Sequence, residues 1–415
     1  MSIQLLIKGS KNQGMSLIKR KFLVVVIFIL LLSGMTYISW WQAHLPKDRV
    51  NIQPLFIQEL DIHQRIDVAS EEIIQIPSDS NPSEYDRVVD LIAGNLLDQE
   101  MPLHLKNEDW VAFKDTVKTN WDDYHSTIGR PMMEWSSQEV RTDVEKVFYP
   151  FSGPDFTTLY QLFPQASHYV MTAQQRGEHL VNLSELNPLE ASQTMEVLSS
   201  AWSSFGHDGF FVTEYLFKYI SKNKVKIGST TLIASFAHLQ GFSIQKIVPI
   251  EIDQEGFVRE LDEGHPWDSV RFYLIKDDRS VMVDYVQMDL SNAGLKKAPQ
   301  NLRFFEESSK SPILLKAASH LPQHKSFTLI REAMLSNAPF IIQDETGLDY
   351  KPLSQVFDTV LYGNFVKPYK VFLTYNLELV KAYQKRQGDK PLPFRIGYFK
   401  DGNYALIVAT RKPSQ

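Results

Sequence analysis

The chain has 415 residues, 43 lysines and arginines against 49 aspartates and glutamates, a formal charge of −6 and a pI near 6.0. That charge offers no footprint for nucleic acid. The absence of cysteine excludes disulfides, thiolate metal sites and a cysteine nucleophile. The length has room for one large domain and a smaller piece, and no internal repeat, low-complexity tract or run of like charges interrupts it.

Residues 1–21 carry Lys8, Lys11, Lys19, Arg20 and Lys21 and no acidic residue. The uncharged stretch Phe22–Trp41 follows. A helix rises about 1.5 Å per residue, so this stretch is long enough to cross a hydrocarbon core of roughly 30 Å. Phe22–Leu32 is apolar on every side, and Trp40 and Trp41 close the segment where aromatic belts sit. Shortly after it come only Lys47 and Arg49, with Asp48 between them. The excess of cations before the span predicts a single-pass anchor in a bacterial inner membrane, with the N-terminus cytoplasmic and the rest of the chain periplasmic. A cleaved signal peptide is the competing reading, but its apolar region would be long and no A-x-A-like site follows Ser39. Leu32-Ser33-Gly34-Met35 has the form of a lipoprotein box with Met in place of the lipidated cysteine, so lipidation is excluded. Met15 opens a second compact leader and is an alternative start.

Residues 42–82 read as a linker, ending in the turn formers Pro77–Pro82, with a strand near Glu71–Ile76. Residues 83–146 read as a helical segment. Trp110, Phe113, Val117, Trp121, Tyr124 and Ile128 fall on one helix face, and Asn107 is a fair N-cap with Glu108 and Asp109 in the first turn. That aromatic stripe is expected to pack on the main domain and not to bind a ligand.

Residues 147–412 read as an α/β domain. A short apolar run at Val147–Phe151, turn chemistry at Ser152–Asp155, helical spacing from Phe156 to Phe163 and a second strand at His168–Met171 compose a βαβ unit. Further strands are predicted at Ile247–Ile252, Val270–Ile275, Val281–Val286, Phe340–Gln343 and Val360–Leu361. A hairpin is predicted over Arg395–Phe399 and Tyr404–Ala409. Helices are predicted at Glu190–Ser204, Phe210–Ser221, Ser229–Gln240 and Phe327–Ser336. The expected fold is a three-layer, Rossmann-like α/β domain with a mostly parallel sheet.

In such sheets ligands bind beyond the carboxyl ends of the strands. Three clusters fall at such places: Tyr149, Ser152 and Asp155; Lys316 and His320; Gln343, Asp344 and Glu345. Ser152 sits at a strand-to-helix turn as a hydrolase nucleophile does, and Asp284 and His320 complete the order Ser, Asp, His. Yet Pro150 and Pro154 stand where a G-x-S-x-G elbow needs small residues, so a structural turn serine is the stronger reading. Lys316 and His320 are expected one turn apart on a helix. Pro322 between His320 and His324 spoils the H-x-x-x-H geometry for zinc, so no metal site is expected. Asp344 and Glu345, as neighbours, are expected to face opposite ways and not to act as a pair. Asp155, Asp344, Lys316 and Arg331 are the residues that could converge at one rim.

The first βαβ unit resembles that of Rossmann-like methyltransferases, but only Gly153 remains of a glycine-rich turn and Gln174 and Gln175 stand where an acid would end the second strand. The segments Val147–Phe156, Leu315–Leu321, Ile342–Gly347 and Leu392–Tyr398 together resemble an uncharacterised family of bacterial exported or lipid-anchored proteins with a Tyr-Pro-Phe-Ser-Gly-Pro-Asp-Phe motif. The resemblance covers residues of about 90 to 410. Its members carry a second Asp where this chain has Glu345. The resemblance implies an envelope location and this fold, and assigns no activity, cofactor or catalytic residue. The expected function is a membrane-anchored binding or scaffold domain for an envelope ligand or protein; the alternative is an envelope hydrolase or transferase acting near Asp155 and Asp344.

Overall fold

The computed structural model describes residues 83–95, 101–140, 144–209, 225, 227–367, 376–388, 390–398 and 404–413. The segment Phe22–Trp41, the linker and the helix expected at Phe210–Ser221 lie outside these residues. Among the described residues no helix is long and apolar enough to cross a membrane.

Among the described residues ten strands form one mixed sheet. They are β1 (Lys146–Pro150), β2 (His168–Ala173), β3 (Ser243–Ile252), β4 (Val258–Glu260), β5 (Ser269–Lys276), β6 (Arg279–Gln287), β7 (Ile313–Leu315), β8 (Phe340–Gln343), β9 (Phe357–Asn364) and β10 (Tyr404–Arg411). Their order is β4-β3-β5-β6-β2-β1-β7-β8-β10-β9. The centre, β6-β2-β1-β7-β8, is parallel; both flanks are antiparallel. The expectation of a mostly parallel sheet is thus corrected. Its cause is visible in β5 and β6, which are joined by Asp277 and Asp278 alone, at φ 49° and 61°. A two-residue turn with positive φ at both positions makes a hairpin, and parallel strands cannot be joined so briefly. The hairpin expected at 395–409 is corrected too. Residues 390–398 form no strand, and β10 pairs with β8 and β9.

Alternate residues of the central strands enter two separate cores. Val147, Tyr149, Tyr169 and Met171 face one, with Trp110, Leu159, Trp202 and Ile233 from the helices above them. Phe148, Val170, Ile313 and Ile341 face the other, with Phe305, Ile330 and Met334. Helices therefore cover both faces, the arrangement that parallel strands require.

The aromatic stripe belongs to the first layer. Asn107 accepts the Trp110 amide at 3.0 Å and starts the helix Glu108–Tyr124. Trp110, Phe113, Val117, Tyr124 and Ile128 are buried, as their spacing predicts. Burial of each such side chain is worth on the order of 1.5–3 kcal/mol. The Tyr124 and Phe205 ring centroids lie 4.6 Å apart, which places this helix against Pro188–Asp208. A turn of π-helix, His125–Gly129, lets the chain continue into Arg130–Glu139. Gly129 leaves room there for Gln161: a Cβ would lie 2.6 Å from its amide nitrogen.

A close backbone approach fixes the helix Ser229–Leu239. Its first amides donate to the 176–177 loop, Ser229 to Arg176 at 3.2 Å and Thr230 to Gly177 at 3.0 Å. A Cβ at Gly228 would lie 1.9 Å from the Gly177 oxygen, whereas one at Gly264 would meet nothing. Gly228→Ala is therefore expected to destabilise by at least ~3 kcal/mol and Gly264→Ala by less than ~0.5 kcal/mol. Urea denaturation of the two variants checks this, and equal effects would contradict the packing described.

Candidate functional site

In the sequence of parallel strands, β1 leads to β2 on one side and β7 lies on the other. Order reverses there, and a crevice at such a point is where open α/β sheets bind ligands. The crevice is present. Phe151, Gly153, Gln174, Gln175, Met288 and Ala317–Ser319 are among its lining residues, all beyond the carboxyl ends of β1, β2, β6 and β7. Its volume is about 140 Å³. A larger groove of about 600 Å³ lies between the helices Pro299–Ser308 and Thr328–Asn337, far from these strand ends and open to solvent.

Beside the crevice, the structure brings together most of the residues singled out from the sequence, and it buries them. Lys316 follows β7 directly. Its ammonium donates to Asp155 Oδ2 at 2.6 Å, Thr158 Oγ1 at 2.8 Å and the Gly209 carbonyl at 2.6 Å. All three N–H bonds are thus used. Asp155 Oδ1 meanwhile accepts the Thr158 amide at 3.0 Å and caps the helix Phe156–Leu162. The Tyr149 hydroxyl lies 3.4 Å from both Asp155 Oδ2 and the Lys316 carbonyl. Burial, then the charge of Asp155, raises the Tyr149 pKa well above that of an ordinary phenol.

Ser152 donates to the Gly153 carbonyl at 2.9 Å and has the Thr172 carbonyl at 3.3 Å. Both partners are backbone carbonyls, which cannot serve as a general base. Asp284, the acid that a hydrolase order would assign to it, is committed elsewhere: it receives Arg271 Nε at 2.6 Å and contacts His168 Nε2 at 2.8 Å. Burial alone would raise its pKa, but these partners outweigh burial and hold it well below the usual carboxylate range. The Ser152–Asp284–His320 order thus describes no assembled triad.

The helix expected over Lys316–His320 is corrected to a tight turn, with Ala317, Ser319 and His320 at φ 51°, 51° and 58°. Left-handed backbone costs a non-glycine residue about 1–2 kcal/mol, so outside contacts must hold this turn. Asp344 Oδ2 accepts the Ala317 amide at 2.6 Å and Thr346 Oγ1 accepts the Ala318 amide at 2.7 Å. Tyr398 donates to the Ala317 carbonyl at 3.2 Å and shares a 2.7 Å bond with Ser319. Gln343 holds the neighbouring loop through two bonds to the Leu348 backbone, of 2.9 and 3.0 Å.

Asp344 and Glu345 lie past the end of β8, so strand alternation does not separate them. Their carboxylates converge on Gly397, where a Cβ would be 3.0 Å from Asp344 Oδ2 and 3.0 Å from Glu345 Oε2. The two oxygens are therefore within about 6 Å, close enough for one charge to oppose the other. Burial raises the pKa of Asp344, against the Thr346 and Ala317 bonds. Burial and then Asp344 raise that of Glu345 well above the usual range. Burial lowers that of His320, which Gln323 and Asp344 partly offset.

Linked through Tyr149 and the 316–317 peptide, Asp155 and Asp344 lie within about 12 Å of each other. Neither lines the crevice, nor do Tyr149, Ser152, Lys316, His320, Gln343 or Glu345. Arg331 does not join them; it donates to the carbonyls of Pro322 and His324 at 2.9 and 3.3 Å. Thr158, Gly209 and Tyr398 complete the cluster without having been singled out. Only Thr158 carried a signal, at the N3 position of a helix capped by Asp155. Among the described residues no group of three or more histidines, aspartates or glutamates could hold a metal ion.

The chain matches no family model, and no curated protein is similar to it.

Two outcomes follow. Lys316→Met leaves Asp155 buried and unpaired and is expected to cost about 3–5 kcal/mol, while Lys316→Met with Asp155→Asn recovers at least half of that, since asparagine still caps the helix. Chemical denaturation of the single and double variants measures both. The second concerns pH. Glu345, raised above its ordinary 4.5, contributes stability below that value and loses it as pH rises through its folded pKa. Asp284, depressed below 3.8, contributes stability above 3.8 and loses it as pH falls through its folded pKa. Melting temperature is expected to peak at mildly acidic pH, and Glu345→Gln is expected to flatten only the alkaline side. A fall in melting temperature there that Glu345→Gln leaves unchanged would contradict the assignment.

Proposed function

We propose that this chain is an inner-membrane-anchored envelope protein whose α/β domain faces the periplasm and serves as a binding or scaffold unit. The anchor reading rests on Phe22–Trp41, with five cations before it and two shortly after. The Rossmann-like reading of the domain is supported by the order β6-β2-β1-β7-β8, which matches the first five places of a doubly wound nucleotide-binding sheet.

One observation carries the non-catalytic part of this reading. At the point where such sheets bind their ligands, Lys316 and Asp155 are bonded to each other and the remaining crevice has about 140 Å³. Sites for cofactor-sized molecules span about 300–1,000 Å³. The ligand place is filled by the protein's own side chains, and the partner is expected to be an envelope protein or ligand engaging another surface. A formal charge of −6 disfavours nucleic acid.

A hydrolase or transferase is the second reading. It is favoured by the raised carboxyl pair Asp344 and Glu345 beside His320 at the strand ends, since perturbed groups cluster at active sites.

Because the chain lacks cysteine, topology is tested cleanly with Lys118→Cys, an exposed helix position. A membrane-impermeant maleimide is expected to label it in cells whose outer membrane has been permeabilised. Labelling only after lysis would place the domain in the cytoplasm and end the envelope reading. In the same cells, loss of the protein's phenotype on Glu345→Gln at undiminished protein level would favour the enzymatic reading.

A further inference from the structure

The turn over residues 316–320 does two things at once. Its Ala317, Ala318 and Ser319 form one wall of the crevice. Its strained backbone is tied to the β8 loop by the Ala317–Asp344 and Ala318–Thr346 bonds and to the 390–398 segment by Tyr398. Asp344 also organises Thr346, accepting its amide at 2.8 Å and its hydroxyl at 2.6 Å through Oδ1. One carboxylate therefore holds both ties to the β8 loop. Glu345, next to it, accepts from the backbone of Tyr398, while its Oε2 is buried with no hydrogen-bond partner.

We propose that the Asp344–Glu345 pair is a proton-operated latch, which keeps the 316–320 turn closed over the crevice while Glu345 is protonated and releases it when Glu345 ionises. Two charges within about 6 Å in a buried setting repel strongly. Water must reach Glu345 to relieve that repulsion, and the Gly397–Tyr398 backbone, whose Tyr398 side chain holds the turn, stands beside it. Among the described residues the titratable groups facing the pair are His320 from the turn, Tyr398 from the 390–398 segment, Tyr383 from the helix Leu377–Lys385 and Tyr149 from β1. All three tyrosines are held above the ordinary phenol value, with burial the main cause, and burial holds His320 towards its neutral form. The carboxyls of the pair are thus the groups that gain negative charge as pH rises from the acidic side, and Glu345 is the one that burial and its neighbour Asp344 raise well above the usual range. Release enlarges the crevice at the place where a small ligand enters such a sheet. The inference stands on the geometry of the turn and does not require the binding or scaffold reading.

The test is hydrogen exchange of the full chain, followed by mass spectrometry from about pH 5 to about pH 9 and corrected for intrinsic exchange. A peptide spanning residues 315–322 is compared with one from β6, residues 280–287. The expected result is a fall of at least about tenfold in protection of the first peptide as pH rises, with the second unchanged, and loss of that pH dependence in Glu345→Gln. Protection of the turn that stays constant across the range, or falls together with that of β6, overturns the proposal on the unsubstituted protein alone. An unchanged profile in Glu345→Gln overturns the assignment to this residue.

Discussion

The bond between Lys316 and Asp155 is the constraint around which this domain is organised. It joins the end of β7 to the helix that follows β1, across the point where strand order reverses. Through Gly209 it also ties the C-terminus of the helix Pro188–Asp208 to the same spot. A buried ammonium and carboxylate are tolerated only when desolvation is repaid by good geometry and a full set of hydrogen bonds. Here Lys316 has three acceptors, and Asp155 has the Thr158 amide as well. The ion pair therefore cannot be removed on one side alone, and while it stands it occupies the interior beside the strand-end crevice.

The acid pair one strand further on has the opposite character. Asp344 is well bonded and organises a strained turn, whereas Glu345 is buried beside it with one oxygen unsatisfied. A fully satisfied network rigidifies, and a partly satisfied one is under tension. The two lie side by side along the strand ends, and the crevice is bounded by the turn between them. This juxtaposition explains why a domain with so small a crevice can still hold strongly shifted carboxyls. They belong to the wall of the crevice and do not line its lumen.

Much of this was legible in the residues. The stripe from Trp110 to Ile128, the cap at Asn107, the first βαβ unit and β8 follow directly from periodicity and turn chemistry. Tyr149, Asp155, Lys316, His320, Gln343, Asp344 and Glu345 do converge on neighbouring strand ends. The failures have physical causes. β7 is three residues long, so Ile313–Leu315 offers no period to read, and nothing local in Lys316–His320 announces three left-handed residues outside glycine. The antiparallel flank was legible in principle, because the gap between β5 and β6 is too short for a parallel crossover. That Asp344 and Glu345 converge depends on Gly397, some fifty residues away, and no local pattern carries such a contact.

The central claim is that the Lys316–Asp155 ion pair fills the interior beside the strand-end crevice and leaves that crevice small. It is tested most directly by the reactivity of the Lys316 amine in the folded full chain, whose side chain is 2% exposed, against Lys118 at 71%. Under an amine-reactive label at neutral pH, Lys118 should be modified to completion while Lys316 remains unmodified until the protein is denatured. Modification of Lys316 at a rate comparable to that of Lys118 would mean that the ion pair is open to solvent and does not fill that place.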